Sequence, residues 1–127
     1  MRITRIFTGD DGESHFEDLE VPLEAHPYGN ISRFVSAKAV AFRVNHQNQT
    51  IDFHTAPRRQ LVVNLFGSVE IETGLGEKRL LEAGDVLLAD DLTGRGHISR
   101  DVSGPRRNIF IALPDDFDAA AWRVTSG

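Results

Sequence analysis

Hydrophobic positions along this chain recur mainly at a spacing of two, the period of a strand with one covered face. The first run, Arg2 to Phe7, carries Ile3, Ile6 and Phe7. It is followed by Gly9-Asp10-Asp11-Gly12, residues that tolerate positive φ, so an outer strand entering a hairpin is expected. Leu19, Val21 and Leu23 then alternate with Asp18, Glu20 and Pro22, and the proline restricts this strand to a sheet edge or to its own end. His26-Pro27-Tyr28-Gly29-Asn30 has the composition of a loop. Phe34 to Val44 reads as a further strand, joined by the polar run Asn45 to Gln49 to the next segment.

The centre of the chain, Ile51 to Val102, holds three apolar or alternating runs: Gln60 to Phe66, Ser68 to Glu72 and Asp85 to Ala89. Glycines at positions 67, 74, 84 and 94 punctuate them, which predicts short antiparallel strands separated by tight turns. After a turn at Ser103-Gly104-Pro105, Asn108 to Leu113 is apolar enough for a strand covered on both faces. Phe117, Ala120, Ala121 and Val124 recur at i, i+3, i+4 and i+7, and predict a short C-terminal helix that must dock to be stable. The expectation is one all-β domain spanning 1–127.

Composition narrows the function classes. Hydrophobic residues make up 40% and charged residues 26%, ordinary proportions for a folded domain. With 14 basic and 19 acidic residues the net charge is −5, which opposes the phosphate neutralisation behind most nucleic-acid affinity. No nucleic-acid partner is expected. There is no cysteine, hence no disulfide, thiolate metal site or thiol nucleophile. Neither a signal-peptide core nor an apolar run of transmembrane length is present, so the expectation is a cytoplasmic protein without a membrane partner.

Two histidines bracket the central segment, His54 ahead of APRRQ and His97 after DDLTGRG. The segment resembles a cupin domain, the small double-sheet (jelly-roll) β-barrel, over about 50 of the 127 residues. Gly67 fits the glycine that closes the family's first motif, His54 fits the first of its paired histidines, and Gly84-Asp85-Val86 fits the opening of the second motif. His97 fits that motif's closing histidine with two residues inserted. At the other motif positions Ala56 stands for the second histidine, Gln60 for the glutamate, Asp90 for the proline and Leu92 for the glycine. Among cupins the chain is most similar to small single-domain bacterial ones that carry APRRQ and TGxGH.

The resemblance implies that His54, Ala56, Gln60, Val62 and Asn64 face the barrel interior, with His97 and Ser99 on the opposite wall. It further implies a small-molecule pocket containing His54, Gln60 and His97, with Arg58, Asn64 and Ser99 beside them, and a homodimer. Three readings of the pocket follow. One is a divalent metal ion (zinc, nickel, iron or manganese) held by His54, Gln60 and His97, with Asp90 or Asp91 from the longer loop as replacement ligands. Another is metal-free acid–base chemistry by a histidine. In the third, the two histidines satisfy each other or the backbone. The ligand classes implied are a sugar derivative or a small organic acid, acted on by an isomerase- or dioxygenase-type enzyme or bound by a sensor without catalysis. Arg58 facing inward would offer a fork for carboxylate or phosphate. The alternative for Arg58-Arg59 and Arg106-Arg107 is that they guard strand edges or bridge to Glu70 and Glu72. His46, eight residues before His54, is a weaker candidate in a turn.

Overall fold

The computed structural model describes residues 1–46 and 49–123, and the chain is predominantly β. Its strands are β1 (Arg2–Thr8), β2 (Ser14–Glu20), β3 (Glu24–His26), β4 (Gly29–Ile31), β5 (Ala39–Val44), β6 (Thr50–His54), β7 (Gln60–Thr73), β8 (Lys78–Leu81), β9 (Val86–Asp90) and β10 (His97–Ala112). Eight of them form one sheet in the order β2-β1-β9-β7-β10-β5, with β6 added along β10 and β8 along β7. β3 and β4 form a separate, exposed hairpin.

The β1–β2 hairpin forms as expected, and β2 ends just before Val21-Pro22. β1 is internal rather than outer, because its other side pairs in parallel with β9 from Thr4 to Phe7. Arg5 braces that junction, reaching Asp90 at 2.7 Å and Glu17 at 2.6 Å. The strand expected over Phe34 to Val44 shrinks to Ala39–Val44, the only part with a ladder partner, supplied by β10.

Two further expectations are corrected at the centre. Gly67 does not separate two strands: β7 is one 14-residue strand that runs through it. Ser103-Gly104-Pro105 likewise lies inside β10, a 16-residue strand. These two long strands pair over almost their whole length, with the register broken only between Asp101 and Asn108. Gly67 sits in the left-handed region at φ 77°, and a Cβ there would meet the Ser103 carbonyl oxygen, so only glycine lets the two backbones come this close. Asn64 clamps the bend, donating from Nδ2 to the Gly67 carbonyl at 2.7 Å and accepting from Asn108 Nδ2 at 3.1 Å. The β7–β10 ribbon is thus a pair of halves joined at a braced bend.

Successive residues of β9 point to opposite faces, and two apolar clusters record it. Leu88 joins Ile3, Leu19, Leu113 and Ala119 on one side. Leu87 joins Ile6, Val69, Ile71 and Leu81 on the other. The expected C-terminal helix is a single 3-10 turn, Ala119–Trp122, with the Asp118 side chain accepting from the Ala120 N–H at 2.9 Å. It docks on the first cluster through Ala119, Phe117 and Trp122. Val124, placed on the helical face by spacing, and Gln47 and Asn48 of the polar connection lie outside the described residues. No helix among the described residues is long and apolar enough to cross a membrane.

Candidate functional site

The second cluster is the floor of a cavity of about 340 Å³, within the range that small-molecule sites occupy. Alternation decides which side chains face it. From β7 come Gln60, Val62 and Asn64 ahead of the bend, and Val69 and Ile71 beyond it. β10 contributes His97 and Ser99 from one half, Arg106 and Phe110 from the other. Arg43 enters from β5, His54 from β6 and Arg58 from the loop that follows β6. All six residues singled out in the sequence, His54, Arg58, Gln60, Asn64, His97 and Ser99, therefore line one cavity.

The two imidazoles meet through backbone register. His54 pairs with His97 between β6 and β10, and their ring centroids are 4.5 Å apart with the planes tilted by 57°. Gly96 makes this approach possible. Its φ is +79°, and a Cβ on it would fall onto the His54 carbonyl group. The partners of the rings also fix their tautomers. His54 Nδ1 donates to the Asp52 carbonyl at 2.8 Å. His97 Nδ1 donates to Asp91 Oδ2 at 2.5 Å. In the neutral form of each ring, Nε2 carries the lone pair.

Asp91 was considered in the sequence only as a replacement metal ligand, and the structure gives it another place. It is fully buried behind His97, outside the cavity lining, and its Oδ2 also accepts from Ser14 Oγ at 2.8 Å. Its second oxygen, Oδ1, has no hydrogen-bond partner among the described residues. Asp90 is directed away as well, held by Arg5 and by Arg59 Nε at 2.6 Å. A buried carboxylate on the rear nitrogen of an imidazole that faces a cavity is the arrangement that orients a catalytic base. Sequence reasoning missed this pairing, since an irregular loop separates the two residues.

The arginines divide by face. Arg58, an exposed residue, turns toward the cavity and donates from Nη1 to Gln60 Oε1 at 3.3 Å, whereas the partly buried Arg59 turns away from it to Asp90. The bridges to Glu70 and Glu72 are made by Arg100 instead. Arg106 is buried against Asp101, Nε to Oδ1 2.8 Å. Arg43 donates to Asn108 Oδ1 at 3.3 Å, and its guanidinium lies over the Phe110 ring, 4.7 Å from the centroid. Burial pushes the Arg43 guanidinium below its usual pKa, the nearby Arg106 charge adds to this, and Asp101 opposes it. Asn64, its amide engaged on both sides in the bend, serves as a brace for the wall. Ser99 presents its side chain to the cavity, and His46 is not among the lining residues.

A divalent ion of the kind the resemblance implies needs several donors with anionic character converging on one point. Here the two imidazoles bring no negative charge, the Gln60 oxygen already accepts from Arg58, and three arginines line the same space with no aspartate or glutamate. Among the described residues, no three His, Asp or Glu side chains are grouped to hold a metal. This donor set does not fit a resident dication.

No protein-family model matches the chain, and no curated protein matches it.

Proposed function

We propose that the chain is a cupin-type jelly-roll protein that binds a small organic metabolite in the 340 Å³ cavity and moves a proton to or from it, as an isomerase-type enzyme does. His97 is the base and Asp91 the residue that positions it. The observation that carries the reading is the buried Ser14–Asp91–His97 relay, ending in an unengaged Nε2 at the cavity wall. The motif residues quoted above, the all-β architecture and a cavity walled by strands β5 to β10 support the cupin assignment.

The chemistry follows from the partners. Asp91 holds the imidazole as the Nδ1–H tautomer and offsets the positive charge that appears on the ring when Nε2 takes a proton. The proton that His97 Nε2 takes is the one it returns at the neighbouring position, and the His54 ring, its centroid 4.5 Å away, borders that path. The apolar floor formed by Val69, Ile71 and Leu87 keeps competing water from the reacting carbon.

Deuterium incorporation from solvent into 2-oxobutyrate, phenylpyruvate and fructose 6-phosphate, followed by NMR, tests the proposal. One of these classes should exchange with the wild-type protein. Asp91→Asn should slow that exchange by about 10²-fold or more, the usual contribution of a positioned base. Exchange that survives His97→Ala unchanged refutes the assignment. Saturable thermal stabilisation with no exchange in any class would instead favour a non-catalytic ligand-binding module.

A further inference from the structure

The lining of the cavity is unbalanced in charge. It contains Arg43, Arg58 and Arg106 and not one aspartate or glutamate. Among the described residues only Arg106 of the three has a counter-ion, Asp101, which lies 2.8 Å from its Nε. Among the described residues neither Arg43 nor Arg58 makes an ion pair; their contacts are the amide oxygens of Asn108 and Gln60, both at the long distance of 3.3 Å. Both residues are exposed as well as lining the cavity, so water meets their remaining donors, and an anion that offers both oxygens of a carboxylate to a guanidinium fork is the partner that replaces it best. Much of the remaining lining is hydrocarbon, with Val62, Val69, Ile71, Leu81, Leu87 and Phe110 around the space. A polyhydroxylated sugar would have only Ser99, the Gln60 amide nitrogen and the two imidazole Nε2 atoms for its hydroxyls besides the arginines, and the rest of the wall would face them with hydrocarbon.

We infer that the ligand is a small organic acid with a hydrocarbon body, its carboxylate held by Arg43 and Arg58 and its body seated on the aliphatic floor. The inference rests on the cavity being the ligand site proposed above, and it names the substrate class for that site. It also explains why a cavity with two imidazoles lacks the acidic ligands of a cation site: the same arginines that would repel a dication attract a carboxylate.

Calorimetric titration with benzoate, benzamide, phenyl phosphate and glucuronate tests the inference on the wild-type protein, on Arg43→Gln, on Arg58→Gln and on His97→Gln. Benzoate is expected to bind saturably and benzamide, its neutral isostere, about ten- to a hundredfold more weakly, the factor carried by a hydrogen bond to a charged group. Glucuronate should trail benzoate. Arg43→Gln and Arg58→Gln should each weaken benzoate by about tenfold or more while leaving benzamide unchanged. His97→Gln should weaken benzoate less than either arginine variant does. Benzamide matching benzoate, phenyl phosphate or glucuronate exceeding it, or both arginine variants binding like wild type would each overturn the assignment. Arg43→Lys, which keeps the charge, guards against a folding artefact by recovering part of the affinity. Benzoate binding that depends on the arginines, in a protein that exchanges no protons, would sink the catalytic reading and leave the ligand class standing.

Discussion

Replacing Gly96 by alanine is expected to destabilise the protein and to part the two histidines, and a second glycine serves as its internal control. Gly84 has φ +93° and open space where a Cβ would point; Gly96 has φ +79° and meets the His54 carbonyl. Alanine in the left-handed region costs about 1–2 kcal/mol. Restricting the unfolded chain returns about 0.4–1 kcal/mol. Gly84→Ala should therefore lose no more than about 1.5 kcal/mol. Gly96→Ala carries the same strain, plus the displacement of a backbone carbonyl that is itself part of the β6–β10 pairing, comparable to overpacking at about 1–3 kcal/mol. A loss of about 1–4.5 kcal/mol follows, a large share of a typical domain's stability of about 5–15 kcal/mol at its upper end. Urea unfolding gives both values, and NMR contacts between the His54 and His97 ring protons report the local geometry. If the two variants unfold within about 0.5 kcal/mol of each other, the scatter of an ordinary surface change, or if Gly96→Ala keeps the ring contacts, the reasoning fails.

Two other outcomes can be checked separately. The Asp11 carboxyl is held below its usual value of 3.8, first by the hydrogen bond from His15 and then by the Glu13 N–H. A depressed folded-state pKa contributes stability that is present above the unfolded value and disappears as pH falls through the folded one. The urea midpoint of Asp11→Asn should thus fall less steeply than wild type between about pH 5 and 3, and identical slopes would refute the linkage. The outer face of β5 carries exposed Val40, Phe42 and Val44 beside an edge that no strand among the described residues covers. We propose that a second copy covers it, and Phe42→Glu should then convert the sedimenting species to a monomer; a wild-type protein that already sediments as a monomer at micromolar concentration argues against it.

Strand positions were legible wherever alternation was clean. Ile3 and Ile6, Leu19, and Leu87 with Leu88, all apolar positions of expected strands, fall in the two clusters. Gly67 misled because positive φ serves both a hairpin turn and a bend within an unbroken ladder, and only the partner strand distinguishes them. The same holds for Ser103-Gly104-Pro105, which has the composition of a turn and the pairing of a bulged strand. Phe34 to Lys38 has strand propensity and no ladder partner, and propensity alone does not order a strand. The convergence of His54 and His97 could be read from motif position. Their supporting residues could not. Ser14 and Asp91 are 77 positions apart, and nothing in either neighbourhood marks the other. Arg43 reaches the cavity by the parity of β5, which is defined only once the strand's start is known.

Because Gln60 and Val62 stand on one arm of β7 and Val69 and Ile71 on the other, opposing jaws of the cavity belong to a single strand hinged at Gly67. Its aperture is a property of one elbow, set by the Asn64 clamp and by the Ser68 and Ser103 hydroxyls that touch at 2.8 Å outside it. The size of the cavity is therefore adjustable from a remote position. A substitution at the elbow widens or narrows the gap while every residue that lines it stays the same.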